Sequence, residues 1–260
     1  MASQPTTTTT PPPEWARVDE YAVKHLHATS GPGAAPELPS NEILAATLEN
    51  CRKNGLPDIA VSASQGKFLQ IQARLLRARS ILEVGTLGAF STLWLATATP
   101  ATRVVSLEVN EKHAEVARAN LQRAGLLLSS PPSSPTVTST ATNGAEVLVG
   151  AALDSFPALE TQVLVSGERE RFDLVFIDAD KENNWAYVDR AAKLCRAGAL
   201  IVVDNVVRKG LLADLTAQDS RILGARKVVE NVGRDERFEG TVLQTVGDKG
   251  YDGFLFVYVK

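Results

Sequence analysis

The chain has 260 residues, 44% of them hydrophobic and 22% charged, which suits one α/β domain with a full core. A net charge of -3 gives no general attraction to nucleic acid or to an anionic membrane surface. Its two cysteines, Cys51 and Cys195, fit neither a disulfide framework nor a metal-ligand spacing, and no run resembles a secretory signal or a bilayer span. A soluble, reducing, cytoplasmic setting is therefore expected.

Residues Met1 to Pro13, a threonine run followed by three prolines, cannot bury apolar surface, so a disordered tail is expected. A first amphipathic helix is expected over Glu14 to His27, with Trp15, Val18, Tyr21, Ala22 and Leu26 near helical spacing. After a Gly/Pro-rich loop, Ser40 is placed to cap a second helix, Asn41 to Asn54, and a third runs from Gln65 to Arg77. Strand Ser80 to Val84 then opens a βα alternation: helix Ser91 to Ala98, strand Arg103 to Leu107, helix Lys112 to Ala124. A Ser/Pro tract, Ser129 to Pro135, reads as a surface insertion before a short strand at Thr136 to Thr140. Strands Asp173 to Ile177 and Leu200 to Val203 flank a helix from Trp185 to Leu194. A helix over Arg221 to Asn231 precedes two strands, Glu239 to Thr245 and Gly253 to Val259, joined by a glycine-containing turn. That pair suggests one antiparallel edge on an otherwise parallel sheet.

Two of the strands end in carboxylates. Phe172-Asp-Leu-Val-Phe-Ile runs into Asp178-Ala-Asp180-Lys181, and Ala199-Leu-Ile-Val-Val runs into Asp204-Asn205. Open α/β sheets bind ligands just beyond the carboxyl ends of such strands. Two Asp and an Asn converging there would make an all-oxygen pocket suited to Mg²⁺ or a similar hard cation, with Lys181 beside it as a base. The first strand instead meets a glycine turn, Glu83-Val-Gly85-Thr-Leu-Gly88-Ala-Phe-Ser91. It lacks the G-x-G-x-x-G of a dinucleotide site and any Walker A lysine. Glu83 suits a ligand with a positively charged amino group, and Glu108, closing the second strand, sits where an acid takes ribose hydroxyls. An adenosine-type ligand carrying an amino acid fits both.

With these residues the chain resembles the cation-dependent, S-adenosylmethionine-using O-methyltransferases, whose relatives include catechol and caffeoyl-CoA O-methyltransferases. The matching segments are Val61-Ser-Ala-Ser-Gln65-Gly66, Ile81-Leu-Glu83-Val-Gly85-Thr-Leu-Gly88, Val105-Ser-Leu-Glu108, Phe176-Ile-Asp178-Ala-Asp180-Lys181, Val203-Asp204-Asn205 and Thr245-Val-Gly-Asp-Lys-Gly250-Tyr-Asp-Gly253. The resemblance covers Trp15 to Lys260. It implies a Rossmann-like class I methyltransferase: an α/β fold with a seven-stranded mixed sheet, one antiparallel strand and helices on both faces. Residues 14–78 would form a helical cap and 79–260 the core of a single domain.

The resemblance also implies roles. Glu83 would bind the methionine amino group of S-adenosylmethionine, Gly85 and Ser91 would line the methionine moiety, and Val61 would close over the cofactor. Glu108 would hold the ribose, Ala145 the adenine edge, and Asp178 and Asp180 would contribute nearby. Asp178, Asp204 and Asn205 would be ligands to Mg²⁺, with Mn²⁺ or Ca²⁺ as alternatives, and Lys181 the catalytic base. The acceptor would be a small phenol with vicinal hydroxyls, of catechol type, and the assembly a homodimer; neither nucleic acid nor membrane is expected as a partner. The pattern breaks at Ala89-Phe90, where Gly-Tyr is frequent, and at Asn184-Trp185, where Tyr is frequent at the first position, which bears on the acceptor.

Each residue has a plainer reading. Asp178 and Asp204 could simply cap the helices after their strands, Lys181 could be a solvated surface lysine, and Asp180 could cap a helix. Trp94 and Phe176 read as core, and Trp185 as a core or lid residue. His25, His27 and His113 fall on helical segments away from the motifs, where exposure is expected and neither a histidine base nor a zinc site is. The rival functions are a nicotinamide-dependent oxidoreductase, which fails on the glycine spacing, and a non-catalytic cofactor-binding protein on the same fold.

Overall fold

The computed structural model describes residues 13–27, 39–128 and 143–260. Helices α1 (Glu14–Leu26), α2 (Asn41–Lys53) and α3 (Ala63–Leu75) precede strand β1 (Ser80–Val84). Helix α4 (Phe90–Ala96), strand β2 (Arg103–Glu108), helix α5 (Glu111–Arg123) and strand β3 (Gly144–Val149) follow. The second half holds α6 (Ala152–Glu160), β4 (Phe172–Ile177), α7 (Asn184–Leu194) and β5 (Cys195–Val203). Helix α8 (Ser220–Arg234) and the hairpin β6 (Phe238–Gly247) and β7 (Gly250–Val259) close the chain.

The seven strands form one sheet in the order β3-β2-β1-β4-β5-β7-β6. Strands β1 to β5 are parallel, and β7 runs antiparallel to both of its neighbours, as expected. Alternation of side chains along the strands feeds two apolar layers. Leu82, Val84, Val175, Ile177, Ile201 and Val203 pack with α6, α7 and α8. Ile81, Leu174, Phe176 and Val202 pack on the other face with Leu69, Trp94, Leu121 and their neighbours from α3, α4 and α5. Coverage of both faces explains why the central strands are largely apolar, with Glu83 of β1 the buried exception. The chain leaves β1 toward β2 and β3 on one side and returns to β4 and β5 on the other, so the strand order reverses between β1 and β4, the place where such sheets bind ligands.

Several boundaries differ from the sequence expectation for local reasons. Helix α3 starts at Ala63 because Ser62 and Gln65 form a reciprocal cap: Ser62 Oγ accepts the Gln65 N–H at 3.1 Å and Gln65 Oε1 accepts the Ser62 N–H at 2.9 Å. Helix α6, continued by a π turn over Thr161–Val165, carries Pro157 inside it, which hides it from a reading by helix propensity. The strand expected at 136–140 and the insertion at 129–135 lie outside the described residues, as does the tail up to residue 12; the strand beside β2 is Gly144–Val149. The apolar residues of α1 do not enter the core: Trp15, Val18, Tyr21 and Leu26 are exposed.

One close approach positions the site. Helix α8 crosses the turn after β4 at Gly224, where a Cβ would stand 2.2 Å from the Lys181 carbonyl oxygen and 2.7 Å from Glu182 Cα. Both atoms are backbone, so nothing flexible can yield. Gly224→Ala should therefore destabilise the fold by about 1–3 kcal/mol in urea unfolding, as overpacking of a close-packed contact does. Gly233→Ala in the same helix, where a Cβ meets nothing within 4 Å, should cost nothing. Equal effects at the two glycines would contradict this packing.

Candidate active site

The ends of β1, β2, β4 and β5 surround a cavity of about 710 Å³ whose walls include Val61, Gly85, Ser91, Glu108, Asp178, Asp180, Lys181 and Asn205. A smaller cavity of about 190 Å³ lies between α1, α3 and the β6–β7 hairpin and contains none of the strand-end residues. Chemistry therefore assigns the site to the larger one.

Gly85 makes the floor possible. Its φ is +100°, and a Cβ would lie 2.5 Å from the Asp178 carbonyl oxygen, so only glycine lets the turns after β1 and β4 touch. Glu83, two residues earlier, points to the face of the sheet that α4 covers and is fully buried. Ser91 Oγ, Thr92 Oγ1 and Ser106 Oγ donate to its carboxylate at 2.6, 2.5 and 2.6 Å. Burial first, and the charge of Asp178 in addition, push its pKa up to about 7 against the pull of the three hydroxyls. Glu108 lines the cavity. Its Oε2 accepts the Thr86 and Leu87 N–H groups at 3.2 and 2.8 Å, and its Oε1 accepts the Asn110 N–H at 2.9 Å, with His113 Nδ1 3.6 Å away. The acid after β2 thus braces the glycine turn after β1 and still faces the cavity.

At the other side of the cavity, Lys181 Nζ donates to Asp178 Oδ1 at 2.6 Å. Asp204 is almost wholly buried; burial and then the Asp178 charge raise its pKa well above the carboxylate range, opposed by Lys181. It accepts the Asn205 N–H at 2.6 Å, and Asn205 adopts a left-handed φ of 57° as the chain turns into the cavity wall. Asp180 accepts from Asn183 Nδ2 at 2.5 Å and from the Tyr187 hydroxyl, which holds it against the wall. Two carboxylates facing one ammonium leave negative charge uncompensated, and with Asn205 they supply the oxygen donors a hard divalent cation prefers. Among the described residues no three His, Cys, Asp or Glu side chains cluster so as to hold a metal ion.

The structure brings Val61, Gly85, Ser91, Glu108, Asp178, Asp180, Lys181 and Asn205 into the lining of one cavity, with Asp204 buried nearby. Two of the expected cofactor residues do not line the cavity. Glu83 is not on the cavity wall; its carboxylate is taken up by three hydroxyls, and only Ser91 among them faces the ligand space. Ala145 lies near the amino end of β3, paired with Val104 and Leu127, at the edge of the sheet away from the cavity. The residues that reach the cavity from β3 are Gly150, Ala151, Ala152 and Leu153, just past its carboxyl end.

Outside the motif residues, His113 is not remote: it lines the cavity beside Glu108. Neither Asn184 nor Trp185 reaches the cavity. Asn184 is fully buried with both amide atoms unpartnered, and Trp185 packs edge-on against Phe238 at 6.4 Å. Glu182 and Asn183 face the ligand space instead. Sequence reasoning missed Thr92, Ser106, Tyr187, Arg208 and Asp252. A hydroxyl at i+8 and i+9 from Glu83 was the available signal for the first; nothing local announces the others.

The chain matches an O-methyltransferase family model over residues 35–129 and 139–253. It is 42% identical over 250 residues to the O-methyltransferase imqG of Aspergillus flavus, covering 95% of this chain and 92% of that protein. It is 48% identical over 219 residues to a catechol O-methyltransferase of Mycobacterium tuberculosis, covering 84% and 88%. An O-methyltransferase from Bacillus cereus, solved in complex with SAH, superposes with a TM-score of 0.80 at 41% identity over 95% of this chain and 98% of that one. Strand order, the reversed β7 and the cavity at the switch between β1 and β4 define a Rossmann-like class I methyltransferase. With whole-domain identity at this level, the chain belongs to the O-methyltransferase family.

Glu83 makes the fold sensitive to pH. A carboxyl whose native pKa lies near 7, against about 4.5 unfolded, keeps its proton in the native state after the unfolded chain has lost it. Stability from this group is present below about pH 4.5 and declines as pH rises toward 7. Glu83→Gln should remove that decline, an effect on the order of 3 kcal/mol between the two ends of the window in urea unfolding at stepped pH. Parallel curves for the variant and the unsubstituted protein would place the Glu83 pKa in the ordinary range.

Proposed function

We propose that the protein transfers the methyl group of S-adenosylmethionine to one hydroxyl of a small vicinal diphenol, in a reaction that depends on a divalent cation. The observation that carries this reading is the pair of carboxylates, Asp178 and Asp204, at adjacent strand ends with Lys181 as their shared ammonium. The catechol O-methyltransferase among the relatives and the SAH complex among the solved structures support the substrate class and the methyl donor.

In the donor half, Ser91 would meet the methionine end of the ligand, with Glu83 behind it setting the hydroxyl's direction. Glu108 would take the ribose hydroxyls with the oxygen surface left beside Asn110, and Gly150 to Ala152 would border the adenine. Val61, buried in the apolar layer that holds Trp94, would close the donor site to water. In the acceptor half, Asp178, Asp204 and Asn205 would hold the cation, whose charge, when bound, acidifies a phenol and orients it. Lys181 Nζ, as the neutral amine, takes the phenolic proton and becomes an ammonium; the phenolate oxygen then attacks the methyl carbon in line, forming C–O as C–S breaks and leaving the electron pair on the sulfur of S-adenosylhomocysteine. Asp178, at 2.6 Å from Lys181, fixes that ammonium in place. A homodimer fits the exposed apolar face of α1. Among the described residues no helix is long and apolar enough to cross a membrane.

Labelled-methyl transfer to catechol with Mg²⁺ tests the reading. EDTA should abolish turnover, and Asp178→Ala should lower it about 1,000-fold or more. S-adenosylhomocysteine should still raise the melting temperature of Asp178→Ala, because ligand binding to the native state alone stabilises it. Lys181→Met should lower kcat by roughly 10²–10⁴-fold, the range for a lost general base. Turnover that survives EDTA and Asp178→Ala together would contradict the metal-dependent reading.

A further inference from the structure

The basic side chains on the cavity wall are not alike. Lys181 is paired with Asp178 at 2.6 Å, Arg221 with Asp219 at 2.6 Å, and His113 lies 3.6 Å from Glu108. Arg208 lines the same cavity, three residues beyond Asn205, yet its Nε is buried without a hydrogen-bond partner and its guanidinium has no ion pair among the described residues. That Nε has no surface open to the cavity, so the terminal guanidinium nitrogens, which make no hydrogen bond among the described residues, are the atoms left for a ligand to meet.

The turn that presents Arg208 is held from outside. The Val207 and Arg208 N–H groups both donate to Asp252 Oδ1, at 3.1 and 3.0 Å, across from β7. Arg208 and Lys209 have φ of 53° and 57°, a left-handed conformation that two successive non-glycine residues do not choose by themselves. Strain of this kind is retained where the surrounding structure imposes it, and here it sets an unpaired cation in the ligand space beside Asn205.

We propose that Arg208 receives an anionic group of the acceptor, so that the preferred substrates are vicinal diphenols carrying a carboxylate. This rests on the diphenol reading above. A guanidinium fork matches a planar carboxylate through two parallel hydrogen bonds. The remaining wall favours a monoanion over a polyphosphate, since Asp178, Asp180 and Glu182 also border the cavity. Glu182 is turned aside by Ser220 Oγ at 2.7 Å and does not compete for Arg208.

The test compares 3,4-dihydroxybenzoate with its neutral isostere 3,4-dihydroxybenzamide, by kcat/KM with Mg²⁺ and S-adenosylmethionine and by calorimetric binding to the protein saturated with S-adenosylhomocysteine. The acid should be favoured by about tenfold or more in both measurements, with the kinetic preference residing in KM. Arg208→Gln should bring the acid-to-amide ratio close to one, and Arg208→Lys should leave it intermediate, since charge survives without the fork. A ratio near one in the unsubstituted protein, a ratio that Arg208→Gln leaves unchanged, or no binding of either compound would overturn the proposal. If neither compound is methylated, the diphenol reading fails, and the calorimetric ratio still decides the role of Arg208.

Discussion

Two carboxylates, Asp178 and Asp204, stand at the ends of neighbouring strands with one ammonium, Lys181, against the first of them, and most of the site follows from that arrangement. Asp204 is buried, and the Asp178 charge adds to the penalty of ionising it, so the pair is an unfavourable element of the fold taken alone. Lys181 offsets part of the penalty through its 2.6 Å contact with Asp178. The remaining deficit is what a small hard cation would offset. A site that binds such an ion carries its repulsion in the absence of the ion as a standing cost, and the packing around it has to absorb that cost.

The absorbing contacts come from backbone, which explains how the cluster can be held without further side-chain pairing. Gly85 lets the first turn press against the Asp178 carbonyl, and Gly224 lets α8 press against the Lys181 carbonyl from the other side. Asp252 ties the turn that follows Asn205 to β7 through two N–H groups. The donor half is built on the same plan. Glu108 is spent largely on the N–H groups of the glycine turn and still faces the cavity, whereas Glu83 is spent on hydroxyls from α4 and β2 and reaches the cavity only through Ser91. The acids therefore act through geometry at least as much as through charge.

What could be read from the sequence was what depends on position along a strand. Asp178, Lys181, Asp204 and Asn205 follow long apolar runs, and a parallel strand delivers whatever follows it to the ligand edge, so their convergence was legible without any contact being known. The edge of β3 was not, because a threonine-rich stretch at 136–140 competed with Gly144–Val149 for the strand. Ala145 was given its role by the resemblance alone, and the residues past β3 that line the cavity are Gly150 to Leu153. Glu83 illustrates a different limit: alternation gives the face a side chain points to, while the three hydroxyls that occupy it come from two elements brought together only by packing. His113 and Arg208 depend on how a helix or turn folds back after its strand, and the Asp252 anchor lies 44 residues from Arg208. Of Asn184 and Trp185, the break in the family pattern, the first is fully buried and the second half-buried against Phe238; neither reaches the cavity, whose wall there is formed by Glu182, Asn183 and Arg208.

The central claim is that the charge deficit of Asp178 and Asp204 is a cation site completed by Asn205. An anomalous difference map from crystals grown with Mn²⁺ and S-adenosylhomocysteine addresses it directly. The account predicts one dominant peak enclosed by the side-chain oxygens of Asp178, Asp204 and Asn205, lost in crystals of Asp204→Asn. A map with no peak there, or with its dominant peak on other residues, would contradict it.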